Sequence, residues 1–154
     1  MDHRLQPVQT QDYASIAGWL DSAAATLRWA GPGVPYPLPP DRFEHVLQLR
    51  ERPGWVLLDA SDQRVGFGQA WYTQPGTVHL GRLLVAPQAR GRGLGRGLVQ
   101  ALIAQAFQAA AVERLTLWVY RDNAAAVALY SSLGFEPVDA ASTPALLFMQ
   151  RARR

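Results

Sequence analysis

The sequence predicts one α+β domain of three layers (α/β three-layer), in which helices flank a mixed central sheet. Short β-branched and aromatic segments alternate with segments of helical periodicity along the 154 residues. From Val78 to Tyr120 a strand, a helix and a strand follow one another, which is the order of a crossover between two parallel strands. Apolar residues make up 49% of the chain and no Gly- or Ser-rich linker divides it. We therefore expect residues 1–154 to share a single core.

The first half of the chain predicts two helices after a short strand. The strand is expected near Arg4 to Val8, and apolar residues at helical spacing predict a helix from about Asp12 to Leu20 or beyond. Glycine and proline in WAGPGVPYPLPP, residues 29–40, exclude regular structure there. Asp41 and Glu44 then form a capping-box pattern, with Asp in the place of Ser or Thr, which predicts the start of the second helix.

The second half predicts four strands and two helices. The strands, chosen for their β-branched and aromatic content, are Trp55–Asp59, Val65–Trp71, Val78–Val85 and Leu115–Tyr120. An apolar stripe predicts a long helix from about Gly93 to Ala110, between the last two strands. A shorter helix is expected to begin at Asn123, a good N-cap residue. Gly134 followed by apolar Phe135 predicts a Schellman motif at its end.

Composition excludes several kinds of chemistry and location. The chain has no cysteine, so it holds no disulfide, no thiolate metal site and no thiol nucleophile. All fifteen positively charged side chains are arginine, which excludes a Schiff-base lysine and a Walker-type lysine. The first residues lack the apolar core of a secretory signal, and no apolar run reaches the length that spans a bilayer. We therefore expect a cytoplasmic protein with no membrane partner.

The segment ARGRGLGRG, residues 89–97, places four glycines among arginines between a predicted strand and a predicted helix. Disordered arginine-glycine segments that bind nucleic acids do not run from a buried strand into an amphipathic helix. A P-loop requires a lysine here, and the dinucleotide fingerprint requires a third glycine that is missing. What remains is a turn whose backbone N–H groups point to the N-terminus of a helix, where the helix dipole favours an anion. The sequence thus predicts a binding site for a pyrophosphate.

Two motifs carry a family resemblance. The first is R-x-x-G-x-G, formed by Arg90, Gly93 and Gly95, and the second is N-x-x-A-x-x-x-Y-x-x-x-G-F, which runs from Asn123 to Phe135. At this separation they resemble the motifs of the Gcn5-related N-acetyltransferases (GNAT family). The resemblance implies the acyl-CoA N-acyltransferase fold and acetyl-CoA as co-substrate, with no metal. It also implies direct transfer of the acetyl group to a primary amine of a small molecule or a peptide N-terminus.

The resemblance also implies which residues hold acetyl-CoA. The backbone of Leu83, Leu84 and Val85 would bind the pantetheine arm, next to a β-bulge that Gly81 and Arg82 make plausible. Asn123 would contact the coenzyme in addition to capping its helix, and Tyr130 would lie against it. The pyrophosphate would be held by the turn, mainly through backbone N–H groups, at Arg90, Gly91, Arg92, Gly93, Leu94, Gly95 and Arg96.

Two residues are candidates for catalysis by the same resemblance. Tyr130 matches the family's donor to the leaving sulfur, although its spacing alone indicates a core residue. Proton transfer from a tyrosine near pKa 10 to a thiolate near 8.5 costs about 2 kcal/mol, so hydrogen-bond donation is expected. The glutamate that some members carry before the motif asparagine is replaced by Trp118. His79 replaces the strand glutamate of the histone-acetylating branch and is the candidate base, or else an ordinary strand residue.

The acceptor site and the partners are less constrained. Trp29, Tyr36 and Trp71 are the candidate acceptor-binding residues because stiff, aromatic segments suit the wall of a small pocket, although packing on the core explains them as well. The missing glutamate favours an amine of low pKa. The alternative function is a non-catalytic acyl-CoA-binding regulatory module of the same fold. A net charge of +3 without a basic face argues against a nucleic-acid partner, and a homodimer stays open.

Overall fold

A seven-stranded mixed sheet runs through the computed structural model, which describes residues 3–154. The strands are β1 (Arg4–Pro7), β2 (Gly54–Leu58), β3 (Arg64–Gln74), β4 (Thr77–Val85), β5 (Arg114–Tyr120), β6 (Glu136–Pro137) and β7 (Leu146–Ala152). The helices are α1 (Tyr13–Gly18), α2 (Ala23–Ala30), α3 (Phe43–Val46), α4 (Leu94–Phe107) and α5 (Ala124–Ser132). The strand order is β1-β2-β3-β4-β5-β7-β6. Within residues 3–154, no helix has the length and apolar character that a bilayer crossing needs.

Helices cover both faces of the sheet, as predicted. Successive side chains of a strand point to opposite faces. A Cβ at Gly68 of β3 would lie 2.8 Å from Leu102, so glycine at this position lets α4 approach the sheet closely. On the other face Phe67 contacts Trp29 of α2 and Phe43 of α3, with ring centroids 6.2 and 5.8 Å apart. The predicted three-layer fold is confirmed.

The parallel strands β4 and β5 pair briefly and then part. Their register joins Thr77–His79 to Arg114–Thr116 and extends no further. β5 continues alongside β7 as far as Tyr120, and β4 continues alongside β3 as far as Val85. This confirms the predicted crossover through α4 and leaves the sheet open between β4 and β5.

A β-bulge lies in β4 at the point where the strands part. Between Gly81 and Leu84, β4 contains one residue more than β3, and Arg82 adopts a positive φ of 53°. Nη1 of Arg82 donates to the carbonyl of Leu47 (2.9 Å) and to Oε1 of Gln69 (3.2 Å). The buried Gln69 also donates to the carbonyl of Leu47 (2.9 Å). These bonds hold the strained residue in place, and the predicted bulge is confirmed.

The first half of the chain differs from the prediction in its helices. α1 ends at Gly18, and a separate helix, α2, follows. Ser22 is the N-cap of α2, since its Oγ accepts a hydrogen bond from the N–H of Ala25 (3.0 Å). The exclusion of regular structure from residue 29 onward was therefore wrong for Trp29 and Ala30, which form the last turn of α2. The helix begins after its cap at Ser22 with a run of alanines and ends just before Gly31, the first glycine of the segment.

The capping box predicted at Asp41 and Glu44 is also wrong. A 3₁₀ turn over Pro40–Arg42 precedes α3, and neither element has a side-chain cap. Proline fixes φ near its helical value and has no N–H to satisfy, so it suits the first position of a turn. Because the turn already begins at Pro40, Asp41 lies inside it and not at its N-cap.

α5 begins and ends as predicted. Oδ1 of Asn123 accepts a hydrogen bond from the N–H of Ala126 (3.2 Å). At the other end the N–H of Phe135 donates to the carbonyl of Tyr130 (3.0 Å), and Gly134 adopts a φ of 93°. This is a Schellman motif. The chain then continues into β6 and β7, two strands that the sequence did not predict.

Candidate active site

A cleft of about 670 Å³ opens on the α2 face of the sheet, where β4 and β5 part. It is bounded by the end of α2, the end of β3, the first part of β4, and one face of β5 and β7. On β5 the even-numbered residues from Arg114 to Tyr120 line the cleft, while Leu115, Leu117 and Val119 between them lie in the core. Strand alternation therefore gives the cleft a floor of polar and aromatic side chains.

His79 lies at the bottom of this cleft. It is 8% exposed, and its Nδ1 is 2.8 Å from Oγ1 of Thr116 on β5. Its ring lies between those of Trp71 and Phe148, with centroids 5.1 and 6.2 Å away. Burial, and secondly the nearby charge of Arg52, lower the pKa of His79 to about 4.

His79 is therefore neutral at physiological pH. Among the described residues only its Nδ1 has a hydrogen-bond partner, so Nε2 is the ring atom left to interact with a bound molecule. A low pKa makes the imidazole a weak proton acceptor, since strong general bases have a pKa near the working pH. Nε2 is therefore suited to accepting a hydrogen bond from a neutral donor and poorly suited to removing a proton from a cation.

Tyr130 belongs to α5, which packs beside the start of α4. Nη2 of Arg96 donates to Oγ of Ser132 (2.6 Å) and joins the two helices. Tyr130 is 9% exposed, and within residues 3–154 no hydrogen bond acts on its hydroxyl. Burial raises the pKa of Tyr130 to about 12. Transfer of its proton to a thiolate of pKa about 8.5 would cost about 5 kcal/mol, so the hydroxyl is suited to donating a hydrogen bond only.

The glycine-arginine turn leaves a row of backbone donors without partners. The N–H groups from Gly91 to Arg96 make no hydrogen bond within the described part of the chain, and the first helical bond runs from the N–H of Gly97 to the carbonyl of Gly93 (3.3 Å). No side chain caps α4. Such donors at a helix N-terminus, together with the helix dipole, form a binding site for an anion.

The glycines of this turn meet a backbone requirement and leave room above it. Gly91 and Gly93 have φ values of 78° and 75°, which disfavour any residue with a Cβ. A Cβ at either position would meet no atom within 4 Å, so the space over the turn is open. At Gly95 a Cβ would lie 4.0 Å from Leu129 of α5 and from Val85 at the end of β4. The turn, the end of β4 and α5 thus adjoin one another.

The proposed pantetheine edge and the proposed acceptor residues occupy different places. Leu83–Val85 form the half-buried end of β4, whose pairing with β5 has already ended at His79. Trp71 and Trp29 line the cleft, whereas Tyr36 is 42% exposed and does not. Tyr130, Asn123 and the turn at residues 90–96 are also absent from the cleft lining.

Three features of the cleft were not predicted from the sequence. Arg52 and Arg82 line it, but they come from a loop and from a bulge, with no motif to group them. Gly81 is required because a Cβ there would lie 2.6 Å from the indole of Trp71, which rests over it. The indole Nε1 of Trp29 is buried without a partner among residues 3–154. These contacts depend on how distant segments meet, so no local pattern signals them.

No three metal-ligating side chains come together in the part of the chain that the structure describes. The site is thus made of backbone donors, aromatic rings, arginines, one neutral histidine and one tyrosine. The arrangement offers an anion site at the start of α4 and a separate cleft on the α2 face of the sheet, and β4 contributes to both, through Val85 beside Gly95 and through His79–Arg82 in the cleft lining.

Known proteins share this fold. The spermidine N-acetyltransferase from Vibrio cholerae, in complex with coenzyme A and spermine, matches with a TM-score of 0.81 at 17% identity, over 97% of this chain and 95% of that chain. The aminoglycoside acetyltransferase AAC(6')-Ib, in complex with coenzyme A, matches with a TM-score of 0.78 at 22% identity, over 99% of this chain and 95% of that one. At these identities the likeness establishes the fold alone.

Relatives are also found by sequence. Mycothiol acetyltransferase of Salinispora tropica is 34% identical over 102 residues, which are 58% of this chain and 33% of that protein. The peptidyl-lysine N-acetyltransferase YjaB of Escherichia coli is 35% identical over 92 residues, 57% of this chain and 52% of YjaB. The chain thus spans a third to a half of these relatives. A model of the acetyltransferase (GNAT) family matches residues 21–135. The chain belongs to the acetyltransferase (GNAT) family.

Proposed function

We propose that the chain is an acetyl-CoA-dependent N-acetyltransferase that transfers the acetyl group directly to a primary amine of a small molecule or a peptide N-terminus. The observation that carries the proposal is the row of N–H groups from Gly91 to Arg96, which have no partner within residues 3–154. Family membership and the coenzyme A complexes of the structural neighbours support it. A cytoplasmic location, where acetyl-CoA is available, is part of the proposal.

The residues present fit acetyl-CoA. The turn offers six backbone donors and the open space that Gly91 and Gly93 leave, which suit a pyrophosphate. The half-buried end of β4 at Leu83–Val85 lies next to this turn, and its edge toward β5 is unpaired. Such an edge binds an extended chain through main-chain hydrogen bonds. When bound, acetyl-CoA would supply the acetyl group as a thioester, an acyl donor that needs no metal.

The chain's own side chains would position the reactants. Tyr130 would donate a hydrogen bond from its hydroxyl to the leaving sulfur of coenzyme A, since a pKa of about 12 keeps the hydroxyl protonated. His79 would accept a hydrogen bond from the acceptor amine at Nε2, while its Nδ1 is paired with Thr116. Direct attack requires a neutral amine. At pH 7 an α-amine of pKa about 7.8 is deprotonated at a cost of only about 1 kcal/mol, whereas a lysine-like amine near 10.4 costs about 4.6 kcal/mol. A weak base therefore favours an acceptor of low pKa.

The proposal is tested first by binding. In Gly95→Val the added methyl groups project between Val85 and Leu129, where a single Cβ already has only van der Waals room. We expect the apo protein to fold and its affinity for acetyl-CoA to fall at least tenfold. The thermal shift that acetyl-CoA causes by binding the folded state should shrink accordingly. Gly18→Val is the matched control, because this exposed helical glycine has open space and lies on α1.

Turnover is tested by the release of free thiol from acetyl-CoA in the presence of amines, amino acids and peptides. Acceptor-dependent release that is lost in Gly95→Val supports the proposal. Normal acetyl-CoA binding by Gly95→Val would contradict the assignment of the turn. Tight acetyl-CoA binding with no turnover on any acceptor would instead favour the non-catalytic module.

A further inference from the structure

The charges in the cleft are of one sign. Four arginines line it, and no aspartate or glutamate of the described chain does. Arg28 has its own counter-ion, since its Nη2 lies 2.9 Å from Oδ1 of Asp122, and Arg114 is exposed to solvent. Arg52 and Arg82 are half-buried and have no carboxylate partner within residues 3–154. Two guanidinium groups therefore face the cleft without compensation.

The free donors of these two arginines differ. Arg82 uses Nη1 for the carbonyl of Leu47 and for Gln69, which leaves its Nε and Nη2 without partners in the described structure. The guanidinium of Arg52 lies over the ring of Trp71, 4.5 Å from the centroid, and makes no hydrogen bond in that same part of the chain. Stacking orients the guanidinium and leaves its N–H groups free at the edge. Arg52 is therefore the better-prepared anion ligand.

The two charges also act on their surroundings. Burial, and then the charge of Arg52, lower the pKa of Arg82, and the same two causes lower the pKa of His79. Like charges in a partly desolvated cleft destabilise one another, and an anion bound between them would remove this repulsion. A polycation would add to it.

We propose that the acceptor is an amine that also carries a carboxylate, and that Arg52, assisted by Arg82, binds that carboxylate in the cleft. This inference rests on the proposed function and names its substrate class. The planar guanidinium offers the paired donors that a carboxylate accepts in a bidentate manner. Trp71, Trp118 and Phe148, which line the same cleft, would contact the apolar part of such a molecule. An amino acid or a short peptide with an apolar side chain meets all three requirements: an amine, a carboxylate and an apolar body. The peptide also has the α-amine of low pKa that a weak base favours.

The test compares acceptors that differ only in the anionic group. Aromatic and aliphatic amino acids are assayed as free acids and as the corresponding amides, together with spermidine and O-phosphoethanolamine. Amidation removes the carboxylate and lowers the basicity of the adjacent amine, so the amide is the intrinsically more available nucleophile. We expect kcat/KM to be at least tenfold higher for the acid, a preference that only the protein can supply.

Variants assign the preference to a residue. Arg52→Gln removes the charge and should bring the acid-to-amide ratio of kcat/KM below about threefold, mainly through KM, while Arg52→Lys should retain part of the preference. Arg50→Gln is the matched control, because Arg50 is exposed and does not line the cleft. It should leave the ratio unchanged.

Binding of the reaction products gives a readout without turnover. In calorimetric titrations the N-acetylated acid should bind the wild type and not Arg52→Gln, and the N-acetylated amide should bind neither. Three results would each overturn the inference. They are equal rates or affinities for acid and amide, a preference for spermidine or for the phosphate-bearing amine, and no binding of the N-acetylated acid. If the wild type did not bind acetyl-CoA, the proposed function itself would be refuted. That failure is distinguishable from a failure of the carboxylate assignment, in which acetyl-CoA still binds.

Discussion

The buried, neutral His79 makes stability depend on pH in a way that can be measured. In the folded protein the pKa of His79 is lowered to about 4, whereas an unfolded chain binds the proton near 6.5. Between these values the unfolded state carries more protons than the folded state, so stability falls as the pH falls. A shift of about 2.5 units corresponds to about 3 kcal/mol, which is fully present above pH 6.5 and lost by about pH 4.

The assay is urea unfolding, followed by tryptophan fluorescence at several pH values from 7.5 to 4, on the wild type and on His79→Gln. Glutamine keeps a group that can bond to Thr116 but does not titrate. As the pH falls from 7.5 to 4, the unfolding free energy of the wild type should decrease by about 3 kcal/mol more than that of His79→Gln. His45→Gln, an exposed histidine, should run parallel to the wild type. If the curve of His79→Gln ran parallel to that of the wild type, burial would not be keeping His79 neutral in the folded protein.

Two further predictions concern Tyr130 and Arg153. Tyr130→Phe keeps the ring and removes a hydroxyl that lacks a partner within residues 3–154, so stability should change by at most about 1 kcal/mol. If the hydroxyl donates to sulfur, kcat should fall about 10²-fold with acetyl-CoA affinity retained in steady-state and thermal-shift assays, and unchanged kcat would exclude the donor role. Arg153 donates to the carbonyls of Phe107, Ala109 and Val112 at and after the end of α4, at 2.8 to 3.0 Å. Arg153→Gln should lower the unfolding free energy by about 1–2 kcal/mol in urea melts, and Arg154→Gln by less than about 0.5 kcal/mol, so equal effects would contradict this contribution.

Features encoded by neighbouring residues were predictable. The cap at Asn123 and the Schellman motif at Gly134 each involve residues within one or two turns, and both are confirmed. The parallel pair around α4 followed from the order of strand, helix and strand along the chain, and the bulge at Gly81 and Arg82 was expected from the family resemblance. At the cap and at the Schellman motif, the side chain or its absence determines the local backbone conformation.

Features that depend on competition between segments were not predictable from the sequence. The predicted cap at Asp41 failed because Pro40 starts the turn one residue earlier. The separate helix α2 was not predicted; it begins at the Ser22 cap and extends up to the glycine-rich segment. The single sign of charge in the cleft arises where a loop carrying Arg52 meets the bulge carrying Arg82. No sequence pattern places those two residues together.

The N–H groups at the start of α4 should bind the pyrophosphate of acetyl-CoA. The most direct measurement is a titration of ¹⁵N-labelled protein with coenzyme A, followed by the amide resonances of residues 91–96. These resonances should shift saturably and their hydrogen exchange should slow, because each free N–H gains an acceptor. Saturable binding that leaves the amides of Gly91, Gly93 and Gly95 unchanged, or no binding at all, would show that this turn does not bind the pyrophosphate.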